Sequence, residues 1–349
     1  MKLGIRIPSL WFGTPVDGIP RPWEHFKIDG LMPNAYDIIR SCRPREPVMT
    51  DGIHSYLHFK GSVMMDSGGF LFMKRKRITI SAYDVLDLYE CSKPDFGVVL
   101  DHPLVPNLPS HIKRRRQLRT LHNTKVMVAN KKLSSPVIVP VIHGYSSDSI
   151  RWYVRELNKM GEFPIYGIGS LVPSVFNTRG NGGIFDVIET ICEAKKQLPS
   201  DSKIHVFGIG STLTMHMMFY AGVDCVDSSS WRWKAAYGAI QLPGTGDRYI
   251  TGKAGKKSDK KYLNLSRNEK RLLDACKCPA CKEHSLSELR KSFSLRALHN
   301  AWVFQKEVQK ARRLIRSSEY SQYVNQIIDR TRFWRVLEHI SKVRASFER

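Results

Sequence analysis

With 349 residues, 55 Lys and Arg against 32 Asp and Glu, and a formal net charge of +23, the chain is long for a single sandwich and strongly biased towards a polyanionic partner. Its 7 Trp, 13 Tyr and 15 Phe exclude a coreless basic tail, because they supply enough apolar surface for a sizeable core. No apolar run approaches the ~20 residues of a membrane span, and "MKLGIRIPSLWFGTP" lacks a secretory core with a cleavage site, so no membrane partner is expected. Seven Cys, three of them within six positions, point to a reducing, cytoplasmic compartment and a metal site, not to a disulfide framework.

Short Val- and Ile-rich runs alternate with amphipathic stretches along the chain. "SVMMDSGG" precedes "ISAYDVLDLYE", and "FGVVLDHP" precedes "SHIKRRRQLRTLHNTKVMVAN". "PVIVPVIHG" then leads to "SSDSIRWYVRELNKM", "IYGIGS" to "GGIFDVIETICEAKKQL", and "KIHVFGIGS" to "TLTMHMMFYAG", before "DCVDSSS" closes the series. Near-continuous apolar strands between helices indicate a parallel sheet covered on both faces. Repetition in one direction, without a G-x-G-x-x-G turn, favours an α/β (β/α)8 TIM barrel over an open sheet.

The strand ends carry the chemistry. Asp66, Asp101, His143, Gly169 with Ser170, Phe207 with Gly208, and Asp227 all lie at or just past C-terminal strand ends, which in such a barrel converge on one mouth. A single polar strand end reads as a turn; the whole set reads as a pocket. Within "MMDSGGF", the paired glycines allow a tight turn and a close approach of backbone to a ligand.

Past residue 245 the character changes to the Gly- and Lys-rich "TGKAGKKSDKKYLNLSRNEKR", then "CKCPACKEH" and a helical remainder. Two domains are expected: a barrel over 1–245, and a zinc-binding, basic helical region over 246–349 that completes it. Cys276, Cys278 and Cys281, with His299 eighteen positions on, suit tetrahedral Zn²⁺ in a closed, structural site. His284 is a rival fourth ligand, cramped by its closeness to Cys281.

These motifs, in this order, resemble the tRNA-guanine transglycosylase superfamily from about residue 60 to 310. "DSGGF" is similar to its D-S-G-G-[FY]-Q, "VVLDHP" to its guanine-recognising strand, and "IYGIGSL" to its G-G-L loop. "HVFGIGS" is similar to its strand ending in G-x-G, "GVDCVDSSS" to its nucleophile segment, and C-x-C-x2-C…H-N to its zinc site. The resemblance implies that Asp227 is the nucleophile and Asp66 the second catalytic carboxylate. It further implies base contacts from Ser67, Phe70, Asp101, Gly169, Ser170, Leu171 and Phe207. Three positions depart from the pattern and bear on the identity of the incoming base. His143 stands where the family has a base-contacting Gln, Ser170 replaces the second Gly of G-G-L, and Leu71 follows Phe70 in place of Gln.

Base replacement with net retention suits a carboxylate nucleophile, a glycosyl-enzyme intermediate and a second carboxyl group that moves protons. Residues 111–132 carry eight Lys or Arg and no acid, and they follow Asp101, which places Lys113, Arg114 and Arg115 near the mouth. Arg232, between Trp231 and Trp233, follows the nucleophile segment and is a further candidate for a phosphate; Lys253–Lys261 is another. The short stretch after the zinc helices and the basic charge make the chain resemble most the DNA-modifying DpdA branch. That branch implies exchange of guanine in double- or single-stranded DNA for a 7-deazaguanine such as preQ0, in a bacterial cell or a phage-infected host. The same exchange on tRNA and a non-catalytic nucleic-acid-binding homologue are the rivals, and the resemblance leaves room for a homodimer.

Overall fold

The computed structural model describes residues 3–73, 78–175, 183–251, 265–329, 331 and 333–345. Nine parallel strands run β1 (Ser9–Gly13), β2 (Gly30–Met32), β3 (Ser62–Met65), β4 (Phe96–Val98), β5 (Val137–Val139), β6 (Val141–Ile142), β7 (Ile165–Ile168), β8 (Lys203–Val206) and β9 (Cys225–Ser228). Their order is β5-β4-β3-β2-β1-β9-β8-β7-β6. β5 and β6 are consecutive pieces of one stave, interrupted at Pro140, which has no N–H to give to a ladder. β5 pairs with β4 and β6 with β7, and the Pro140 carbonyl accepts from Gly167 N–H at 2.8 Å, so this stave closes the ring. The result is an eight-stave (β/α)8 barrel.

Alternation with period two decides what each strand offers to either side. Trp11, Met32, Met64, Phe96, Val98, Val139, Val141, Ile165 and Cys225 meet as one buried cluster inside the barrel. Their strand neighbours Leu10, Phe12, Leu31, Val63, Met65, Ile142, Ile168, Val206 and Val226 belong to the larger core beneath the surrounding helices. The inward set continues past Met64 to Asp66, past Val141 to His143, past Ile165 to Gly167 and Gly169, and past Cys225 to Asp227. His205 and Phe207 hold the same inward register at the end of β8. Apolar packing closes the lower barrel, and the polar residues of one parity reach its mouth.

The covering helices follow the sequence expectation: Ala82–Ser92, Ser110–Asn130, Ser147–Asn158, Ile184–Gln197 and Thr214–Tyr220. Ala82–Ser92 starts with a capping box in which the Ser81 hydroxyl and the Asp84 carboxylate satisfy each other's backbone N–H. Beyond the barrel, an antiparallel hairpin of β10 (Ala239–Gln241) and β11 (Asp247–Tyr249) precedes the cysteine-bearing segment.

The long helix Phe293–Arg316 then lies against helix Ser230–Ala236 and β1. Its Ala297, Ala301, Phe304, Val308 and Ala311, at helical spacing, enter the main core. At its far end the Arg312 guanidinium donates to the Pro8 carbonyl at 2.7 Å, the Arg6 carbonyl at 3.0 Å and Asp29 Oδ2 at 2.6 Å. Among the described residues, no helix is long and apolar enough to cross a membrane.

Candidate active site

The "DSGGF" turn opens the mouth. Gly68 has φ +100°, a left-handed conformation that L side chains resist, and a Cβ there would meet Tyr36 at 2.7 Å. A Cβ on Gly69 would fall 1.9 Å from Asp101 Oδ1, so the bare backbone is what lets the carboxylate of the next strand sit against this turn. The two glycines therefore serve different needs, one conformation and the other space.

Asp66 Oδ2 accepts from Gly68 N–H at 3.2 Å and from Asn34 Nδ2 at 3.3 Å, and no donor among the described residues reaches Oδ1. Burial, followed by the negative charges of Asp101 and Asp227, pushes its carboxyl up to about 8. Asp66 thus keeps a proton at neutral pH, and Oδ1 is free to present it.

Asp227 is placed oppositely. Its Oδ1 accepts from Gly208 N–H at 2.7 Å and faces His205 Nε2 at 3.2 Å, while among the described residues Oδ2 has no donor. His205 is fully buried, with Nδ1 unpartnered, so Nε2 carries the hydrogen that Asp227 accepts. Sequence reasoning did not single out His205 or Asn34. The signal for His205 was its position two residues before Phe207, on the same inward face of β8.

Asp101 is buried, with Oδ2 2.9 Å from His143 Nε2 and Oδ1 3.5 Å from the Ser67 hydroxyl, which donates to the Val99 carbonyl at 3.0 Å. His143 Nδ1 lies 2.8 Å from Ser170 Oγ. Gly169 follows β7, its N–H given to the Ile142 carbonyl at 3.0 Å. Phe70 is 65% exposed at the rim, and Phe207, half-buried, packs its ring edge-on to His205 at 4.6 Å. The structure brings together Asp66, Ser67, Phe70, Asp101, His143, Gly169, Ser170, Phe207 and Asp227 around one opening.

The basic helix is stitched to that opening. Its buried Gln117 donates through Nε2 to the His143 carbonyl at 2.6 Å. Lys113 Nζ lies 5.2 Å from the Tyr145 ring, whose hydroxyl donates to the Ser170 carbonyl at 2.9 Å, and the Arg114 guanidinium stacks 3.1 Å above Trp152. Arg115 is exposed.

The two tryptophans that flank Arg232 in sequence do not flank it in space. Trp231 is wholly buried and donates to the Gly13 carbonyl, because residues two apart on a helix point to different sides; Trp233 is 60% exposed and stacks on Tyr237. Arg232 itself is held by the Ile19 carbonyl and the Phe293 ring. Lys253–Lys261 lies outside the described residues.

The cysteines converge as expected. Cys276, Cys278, Cys281 and His299 place their ligand atoms within 4.8 Å of one another, with Nδ1 3.7, 3.5 and 3.2 Å from the three Sγ atoms. Tetrahedral zinc with bonds of about 2.0–2.3 Å sets such ligand atoms about 3.5 Å apart, so the cluster fits a metal ion. His299 Nε2 donates to the Gln241 carbonyl on β10 at 2.8 Å, which turns Nδ1 towards the thiols. His284 pairs instead with Glu288 at 3.0 Å.

Residues 20–332 match the family described as queuine tRNA-ribosyltransferase. Proteins named tRNA-guanine(15) transglycosylase are similar to the chain. The one from Pyrococcus furiosus is 26% identical over 88% of this chain and 49% of its own length. The Methanopyrus kandleri protein is 27% identical over 86% and 61%, and that of Aeropyrum pernix 28% over 85% and 52%. The chain thus spans about half the length of such relatives. With a match running through the barrel, the carboxylate mouth and the Cys3His cluster, the chain belongs to the queuine tRNA-ribosyltransferase family.

Proposed function

We propose that the chain is a pentosyltransferase that exchanges guanine in a nucleic acid for another base through a glycosyl ester of Asp227. The observation that carries this is the contrast between two carboxyl groups in one mouth: Asp66 protonated, with its pKa near 8, and Asp227 anchored through one oxygen with the other free. Asp227 Oδ2 attacks C1′ of the nucleoside as the C1′–N9 bond breaks, and the departing guanine takes the Asp66 proton. The incoming base gives its N9 proton to the Asp66 carboxylate and displaces Asp227, restoring both groups with net retention. Asp101 faces the donor edge of a guanine-type base, and Phe70 and Phe207 supply its stacking faces.

The relatives' names favour tRNA as the substrate over the DNA inferred from sequence, since the charge of +23 attracts either polyanion. A 7-deazaguanine such as preQ0 is the incoming base to try, and zinc the ion for the Cys3His cluster, where it would tie the cysteine-bearing segment to the long helix. Cysteines left unpaired with one another suit a reducing compartment, so the reaction is assigned to the cytoplasm. The test is release of radiolabelled guanine from tRNA and from DNA at equal concentration. Release from tRNA supports the reading, release from DNA alone restores the DNA substrate, and release from neither overturns the activity.

A further inference from the structure

Two of the three departures from the family pattern, His143 and Ser170, touch each other. Ser170 has φ +69°, where a residue with a Cβ costs about 1 kcal/mol that glycine avoids, so its side chain must do something there. Its Oγ accepts from Leu104 N–H at 2.7 Å and lies 2.8 Å from His143 Nδ1. Nε2 faces Asp101 Oδ2 at 2.9 Å, where a bare nitrogen lone pair would be repelled, so the hydrogen of a neutral ring belongs on Nε2. Nδ1 then accepts from the Ser170 hydroxyl, whose oxygen still takes the Leu104 N–H.

That Nε2–H faces Asp101 Oδ2 at 2.9 Å, off the axis of an aligned hydrogen bond, so the contact is a dipole held against a carboxylate. His143 is fully buried, and Gly169 is cut to fit it: a Cβ there would lie 2.7 Å from His143 Cε1. Nδ1 is taken by Ser170, and Nε2, although it makes no aligned hydrogen bond, lies wholly buried against Asp101. No polar atom of the ring is accessible to a base.

We propose that His143 and Ser170 form a positioning pair that fixes the Asp101 carboxylate, and so selects bases with adjacent N–H and amino donors, without either side chain touching the base. This rests on the base-exchange reading and changes the part expected of His143, from base contact to orienter of Asp101. Oδ2 is held by the imidazole, and Oδ1, beside Gly69, is turned to the base edge.

The test compares wild type, Ser170→Ala, His143→Gln and the double variant by calorimetric binding of free guanine and of hypoxanthine, which lacks the 2-amino group. Ser170→Ala removes only the hydroxyl and leaves the ring in place. We expect it to weaken guanine binding about tenfold and hypoxanthine binding much less, with the double variant no worse than the poorer single one. Nitrogen-15 spectra of the wild-type ring should show hydrogen on Nε2 only, and Ser170→Ala should shift the Nδ1 resonance. Unchanged guanine affinity in a folded Ser170→Ala protein, additive losses, equal loss for both bases, or hydrogen on Nδ1 would each overturn the pair. These readouts need no nucleic acid. Intact base binding and pairing with no exchange on tRNA or DNA would therefore sink the activity and leave the pair standing.

Discussion

The barrel mouth and the Cys3His corner are both built from groups of one sign, and they resolve the crowding in opposite ways. In the corner, four ligand atoms close on a point fit for a cation, and His299 is aimed by the Gln241 carbonyl. In the mouth, three carboxyl groups share a partly buried space and are told apart by their neighbours. One stays protonated, one is anchored through a single oxygen, and one is held by a histidine. A closed set of ligands is suited to stabilise; carboxyl groups set apart by their neighbours are suited to different chemical tasks.

Replacing Asp227 breaks the comparison most severely. Asp227→Asn keeps the size and the Gly208 contact but removes the proposed nucleophile, so exchange should fall at least about a thousandfold with an unchanged circular dichroism spectrum. A denaturing gel after incubation with substrate should show no covalent adduct.

Next comes the corner. Cys278 is buried, accepts from Cys281 N–H at 3.2 Å through Sγ and caps helix Pro279–Glu283. Cys278→Ala should remove the bound metal measured by mass spectrometry and lower Tm by on the order of 10 °C. A variant that keeps both would make the cluster incidental.

Asp66 sharpens the contrast through pH. The fold raises its pKa from 3.8 to about 8, so between those values the folded chain keeps a proton that the unfolded chain has released. Stability therefore falls as pH rises across that window and carries the full penalty above it. Asp66→Asn should accordingly be more stable than wild type at pH 8 by on the order of 3 kcal/mol, a gain vanishing towards pH 4, while exchange collapses. Denaturant titrations at the two pH values check it; a variant destabilised at pH 8 would contradict the protonated assignment.

The smallest effect is expected outside the mouth. Glu at Lys113, Arg114 and Arg115 should weaken binding of any sequence and lower the salt dependence by about 0.7–0.9 log unit for each phosphate left without its cation. Arg115, exposed, should cost the fold least, whereas Arg114 also gives up its stacking on Trp152. Fluorescence anisotropy over a salt series measures the slope.

Much of this was legible in the chain because periodicity and strand ends coincide. The basic helix appears over Ser110–Asn130 as its composition implies, and the polar ends of β3, β7, β8 and β9 meet as a mouth. β1 and β2 were not legible: Ser9–Gly13 sits between Pro8 and Pro15, and Gly30–Met32 is too short for alternation to register. The β10–β11 hairpin was hidden beside a Lys-rich run. His205 and Asn34 escaped because their value lies in what they hold, Asp227 and Asp66, and neither partner is near in sequence.

The Arg312 clamp has a consequence for biosynthesis. β1 is the stave that joins the first strands to the last, since it pairs with β2 on one side and β9 on the other, and its lower entrance at Arg6 and Pro8 is pinned by a guanidinium 304 residues later. On the ribosome, the seam must wait for β9, and its anchoring must wait longer, until the helix Phe293–Arg316 has emerged. A nascent chain stalled between those points carries all three aspartates of the mouth on a barrel whose first stave is not yet fastened.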